Sequence, residues 1–134
     1  MSDLYFAKLA SLARCLGRVK EEFTPKEEFL ASQSRQDAAI LNLQRACEAV
    51  IDIANLIIKS RSLGLPASAR EGFDVLALAG VIDTDCAQRM KNMVGFRNIA
   101  VHEYQTLNLD IVVAVIEKNL TDFEKFADAI KAQL

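Results

Sequence analysis

The chain has 134 residues, 51% of them apolar and 25% charged, with only five glycines and two prolines. That length suits one domain, spanning residues 1–134, that buries roughly two-thirds of its unfolded surface, and the composition excludes a disordered chain. A formal charge of −2 excludes broad affinity for nucleic acid, which rests on phosphate neutralisation by Lys and Arg, so any grip on RNA has to come from a local cluster.

No apolar run approaches the roughly 18 residues that a membrane span needs. The opening MSDLYFAKLA lacks the basic and apolar regions of a signal peptide, and the cytoplasm is the expected location. Cys15, Cys47 and Cys86 are odd in number and far apart. They read as buried free thiols rather than a disulfide framework or a zinc site.

Taken in chain order, Tyr5, Leu9, Leu12, Leu16, Val19 and Phe23 alternate spacings of four and three, one stripe of a first helix. Thr24-Pro25-Lys26-Glu27 reads as a capping box with proline at the first helical position, opening a short helix with Phe29 and Leu30. Ile40, Leu43, Cys47, Val50, Ala54 and Ile57, widened by Ile51 and Ile58, form the seam of a long helix expected over 32–62. Gly64-Leu65-Pro66 is expected to end it, glycine taking the left-handed cap. A second capping box, Ser68 to Glu71, opens a short helix with Phe73, Leu76 and Ala77 inward, which Gly80 ends. Asp83 or Thr84 caps the next helix, which buries Cys86, Met90, Met93 and Val94 and is expected to finish near Val101. Asn108 opens the last, with Val112, Ile116, Leu120, Phe123, Ala127 and Ile130 inward. No segment alternates with period two. The expected fold is all-α: an antiparallel bundle with an up-down four-helix core and short extra helices.

The single histidine, His102, lies in Arg97-Asn98-Ile99-Ala100-Val101-His102-Glu103-Tyr104. Five residues of ideal helix advance about 7.5 Å and turn about 140°, so Arg97 and His102 share a face only if the helix ends or loosens between them. The turn-prone run from Glu103 to Asn108 fits such an ending. Asn42, Arg45, Glu48, Asp52, Asn55 and Lys59 form a polar stripe on the long helix. Glu48 and Asp52 carry like charge four residues apart, which is unfavourable unless a cation faces them, and Arg97 is a candidate.

R-x-x-x-x-H-x-Y near the start of a final helix, embedded as GFRNIAVHEYQ, resembles the signature of HepT proteins, members of the HEPN superfamily of helical bundles. The segment from Asp37 through Asn42-Leu43-Gln44, Glu48-Ala49 and Asp52-Ile53-Ala54 is similar to the family's long helix, as is the stretch from Pro66 to Phe73. The resemblance runs from about Arg35 to the end of the chain. It implies a metal-independent endoribonuclease, without cofactor, acting as the toxin of a HEPN/MNT type VII toxin–antitoxin pair. By resemblance Arg97 and His102 are catalytic and Asn98 supports them. Tyr104 is then the acceptor of AMP from a cognate minimal nucleotidyltransferase, the antitoxin, and the active site is a composite of two copies in a homodimer. The residue types suit that chemistry: histidine exchanges protons near neutral pH, and arginine presents a fixed, permanently charged fork to phosphate oxygens. An alternative is a non-catalytic helical subunit that binds nucleotide phosphate through the same residues and regulates a nucleotidyltransferase. Phosphate binding tolerates glutamine at position 102; proton transfer does not.

Overall fold

A computed structural model describes residues 2–134. Among them are seven α-helices and no strand: α1 (Ser2–Phe23), α2 (Lys26–Ala31), α3 (Gln33–Ser60), α4 (Ala69–Leu78), α5 (Thr84–His102), α6 (Leu109–Lys118) and α7 (Leu120–Lys131), with a 3-10 turn over Tyr104–Thr106 before α6. The expected all-α bundle is what forms. α3 is its axis, packed against α1, α2, α4, α5 and α7, while α5 also meets α4 and α7.

The apolar stripes read from the sequence converge into one cluster. Leu12 and Val19 of α1, Leu43 and Val50 of α3, Phe73 and Leu76 of α4, Met90 of α5, Val112 of α6, and Phe123 and Ile130 of α7 are all buried. Phe126 joins them, edge-on to Phe73 with ring centroids 5.8 Å apart. Cys47 is buried, whereas Cys15 and Cys86 are only half-buried, a partial correction of the three expected core thiols.

Several helix ends differ from expectation. Pro25, not Thr24, is the N-cap of α2, and it makes no side-chain cap bond. The second box forms in part: Ser68 Oγ accepts from the Glu71 amide at 3.1 Å, but the Glu71 carboxylate accepts from the amide of Ala67, one residue before the cap, at 3.1 Å. Asp83 caps α5, accepting from the Cys86 amide at 2.7 Å. The expected single last helix is divided at Asn119, which leaves ideal helical geometry at φ −117° and ψ −2°.

α3 ends earlier than expected, and Ser62 rather than Gly64 takes the left-handed cap position, at φ 53°, while Gly64 also has a positive φ, 107°. The Leu63 amide donates to the Ile58 carbonyl at 2.9 Å and the Ser62 amide to the Lys59 carbonyl at 3.3 Å. That is the Schellman pattern. α4 closes in the same way on Gly80, at φ 76°, with Val81 donating to Leu76 and Gly80 to Ala77. The left-handed region costs an L-residue roughly 1–2 kcal/mol, and glycine returns roughly 0.5–1 kcal/mol of that through its freer unfolded chain. Ser62→Gly is therefore expected to raise the free energy of unfolding by about 0.5–1 kcal/mol, and Gly80→Ala to lower it. Urea titration reads both; a Ser62→Gly variant no more stable than the parent would refute the strain at Ser62.

Candidate active site

α5 presents Met90, Met93, Val94, Phe96 and Ala100 to the core. Arg97 follows Phe96 at the edge of that face, its side chain three-quarters buried. Its Nη1 donates to Glu48 Oε1 of α3 at 3.3 Å. Arg97 Nε is buried with no acceptor, a state that costs about 1–3 kcal/mol relative to a satisfied donor. The guanidinium is thus anchored at one corner to α3.

The facing cation expected for the Glu48–Asp52 pair is present, but the two carboxylates are answered separately. Glu48 meets Arg97, and Asp52 accepts from Lys8 Nζ of α1 at 3.0 Å. Beside Glu48, the Cys47 thiol donates to the Met93 carbonyl at 3.5 Å. Burial pushes that thiol up to about 12, outweighing the opposite pull of the Arg97 guanidinium.

α5 does not end between Arg97 and His102, as a convergent pair within one chain requires. It runs unbroken through His102, and the Glu103 amide still donates to the Ile99 carbonyl at 2.8 Å. The intervening Asn98-Ile99-Ala100-Val101 holds no glycine or proline to break it, and Ala100 is buried at 1% exposure, so packing keeps the last turn regular. On that unbroken helix the two side chains leave the axis about 140° apart. His102 stands exposed at the helix terminus and Asn98 is exposed one position after Arg97.

The chain turns only at Glu103, with φ −131° and ψ 37°. The 3-10 turn that follows is closed by Thr106 Oγ1 donating to the Glu103 carbonyl at 3.0 Å, and Asn108 caps α6 by accepting from the Asp110 amide at 2.8 Å. This turn carries Tyr104 back to the beginning of α3, where its hydroxyl donates to the Asp37 carboxylate. Asp37 also accepts from Gln33 Nε2 at 2.8 Å. The contact spans 67 positions, and no spacing in the sequence announces it. Partial burial, then the hydrogen bond to Asp37 and its charge, push the Tyr104 hydroxyl up to about 12. The same bond, followed by that of Gln33, lowers Asp37.

The sequence matches the model of the family described as ribonuclease HepT-like over residues 11–130. The chain belongs to the HepT-like ribonuclease family. Among its HepT relatives, an mRNA nuclease HepT from Shewanella oneidensis strain MR-1 is 47% identical over 99% of this chain and all of its own length. A solved structure of the tri-AMPylated Shewanella oneidensis HEPN toxin in complex with MNT antitoxin superposes with a TM-score of 0.93 at 48% identity, covering 98% of this chain and 99% of that one. At 18% identity and a TM-score of 0.74, the Bacillus subtilis cytosolic protein YutE, of unknown function, shares the HepT-like fold over 93% of this chain and 89% of its own.

The Tyr104–Asp37 bond has a definite pH signature. Tyr104 is raised from its ordinary value near 10, so its contribution to the folded state is complete below about pH 10 and lost as pH climbs through about 12. Asp37 is lowered, so its contribution holds above the usual carboxylate range and disappears as pH falls through the depressed value. Asp37→Asn removes the charge, and Tyr104 is expected to titrate nearer 10. The difference in tyrosinate absorbance between each protein and its Tyr104→Phe counterpart measures this; an unmoved titration rules the bond out in solution.

Proposed function

We propose that this chain is the toxin of a toxin–antitoxin pair: an endoribonuclease, acting as one helical domain in the cytoplasm, in which Arg97 and His102 do the chemistry. No helix among the described residues is long and apolar enough to cross a membrane. The observation that carries the site assignment is the unbroken end of α5. It holds an anchored guanidinium and, at the terminus, an exposed imidazole, in a chain 47% identical to an mRNA nuclease.

The reaction uses the RNA's own 2′-hydroxyl as nucleophile, so no metal-bound water is required. A base takes the 2′-hydroxyl proton as the O2′–P bond forms. An acid protonates the 5′-oxygen as the P–O5′ bond breaks, and a cation stabilises the charge that builds on phosphorus oxygens. Arg97 is that cation. One histidine cannot serve as base and acid together, and within one chain it points away from Arg97. A two-fold pair of chains answers both needs, because each motif then faces its copy. Ile99 and Val101, apolar yet 42% and 47% exposed beside His102, supply surface for a second copy to cover. Asn98 lies at the same edge and donates to substrate phosphate.

Neutralisation is AMP transfer to Tyr104 by a minimal nucleotidyltransferase. The Tyr104 oxygen bonds to the α-phosphorus of ATP, pyrophosphate leaves, and the hydroxyl proton goes to solvent. An ester oxygen has no proton to donate, so the bond to Asp37 is lost. The new diester anion is then repelled by Asp37 and attracted by the cations on which RNA depends.

Expression of the wild-type chain is expected to arrest growth, and its purified form to cleave RNA. Arg97→Ala, His102→Ala and His102→Gln should each lose about 100-fold or more of the cleavage rate. Growth arrest that persists in His102→Gln, with no RNA cleavage by the wild-type chain, would favour a phosphate-binding regulatory subunit instead. Tyr104→Phe should stay toxic and resist the antitoxin; if the antitoxin still cures it, Tyr104 is not the acceptor.

A further inference from the structure

A groove of about 490 Å³ runs between α1 and α3. Arg14, Cys15 and Arg18 line it from α1, and Leu41, Asn42 and Arg45 from α3. It therefore gathers three of the chain's arginines with no carboxylate in its wall, in a protein whose net charge is −2. Among the described residues, Arg14 makes only a 3.0 Å bond to Ser11 Oγ, and Arg45 has no side-chain partner, while Arg18 is shared with Glu21 and Glu22 at 3.4 and 3.9 Å. Positive charge is concentrated here and left largely uncompensated.

The lining has a second polar feature. Asn42 is only 8% exposed. Its Nδ2 donates to the Ala38 carbonyl at 2.9 Å, while its side-chain carbonyl accepts from no group among the described residues. That oxygen is not among the buried unpartnered atoms, so it still faces the groove's solvent. An accessible acceptor on a held amide suits the amino edge of a base or a ribose hydroxyl. Leu41, 44% exposed, adds apolar surface beside it for a sugar or base face.

The groove shares a wall with the candidate active site. Arg45 sits three residues before Glu48, the anchor of Arg97, and Leu41 four residues after Asp37, the anchor of Tyr104. Residues so spaced are neighbours on a helix surface, with Cβ atoms about 5–6 Å apart. A volume of this size takes a small-molecule-sized piece of ligand, about one or two nucleotides and not a duplex.

We propose that the α1–α3 groove is a subsite for single-stranded RNA, seating phosphates next to the scissile linkage on Arg14, Arg18 and Arg45 and one nucleoside against Asn42 and Leu41. The assignment rests on the ribonuclease reading above and adds where the substrate lies.

The test uses the full chain and a short fluorescent single-stranded RNA. Arg14→Ala with Arg45→Ala is expected to raise KM by about tenfold or more at physiological salt, with kcat reduced less than threefold. The slope of log KM against log salt should fall by about 1.4, since each lost contact to a single strand removes about 0.7. Arg14→Lys with Arg45→Lys keeps the charge and should restore most of the slope. Equilibrium binding of the same RNA, measured in His102→Ala protein with and without the two Arg→Ala changes, gives an answer even if cleavage is absent. Loss of binding there supports the groove while cleavage by His102→Ala refutes only the catalytic assignment. Unchanged KM, slope and binding overturn the subsite. So does a double variant impaired only in receiving AMP from the antitoxin, which would make the groove a protein-docking surface.

Discussion

Arg97 enters the protein beside a single carboxylate, and α3 is what holds that carboxylate in place. A guanidinium cannot shed its charge, so one brought three-quarters out of water is costly unless something answers it. Glu48 does so at one corner and leaves Nε unpaired. The pair is worth little as a stability device, since Glu48 is half exposed and water screens it. Its effect is orientation: a long, flexible side chain is fixed on the rim of α5 with its fork prepared for an anion. α3 can do this because its opposite side is packed by Leu43, Val50, Ile53 and Ala54, all essentially buried, so the anchor does not move.

α3 organises the rest of the functional surface in the same way. Its first turns hold Tyr104 through Asp37, its middle holds Arg97 through Glu48, and its next turn holds α1 through Asp52 and Lys8. The basic groove lies along the same helix. A single helix therefore sets the spacing between Arg97, Tyr104 and the path proposed for RNA. The AMP transfer proposed for Tyr104 acts on this arrangement locally. It exchanges a neutral donor that α3 retains for an anion that α3 repels.

Much of this was legible in the sequence, and the reasons differ by feature. The seams of α1 and α3 were readable because burial on one side imposes a spacing of three and four that no other fold needs. Ser68 and Asp83 were readable because their cap bonds reach only three residues. The pairing of Glu48 was half legible: like charge at 48 and 52 called for a cation, but nothing local said that Lys8 would take Asp52. The end of α5 falls at His102, one residue from the expected Val101. What was not legible is that the packing of Ala100 keeps the last turn regular, so that Arg97 and His102 do not converge within one chain. Ser62 was missed because Gly64, two positions later, is the better residue for positive φ; Gly64 does take it, at φ 107°, but the cap itself forms on Ser62. Asp37 was matched as part of the family's helix, but its bond to Tyr104 is a product of tertiary structure alone.

The unbroken helix between Arg97 and His102 works as a ruler. Apart from Asn98, for which a phosphate contact is proposed, what the intervening positions must preserve is length and winding, not chemical identity: Ile99 and Val101 face outward and touch little, and only Ala100 is confined by its neighbours. Evolution can therefore repaint positions 99 and 101 to suit a new companion surface without disturbing the placement of Arg97 and His102. Inserting one residue would swing the imidazole by about 100° and misalign it at once.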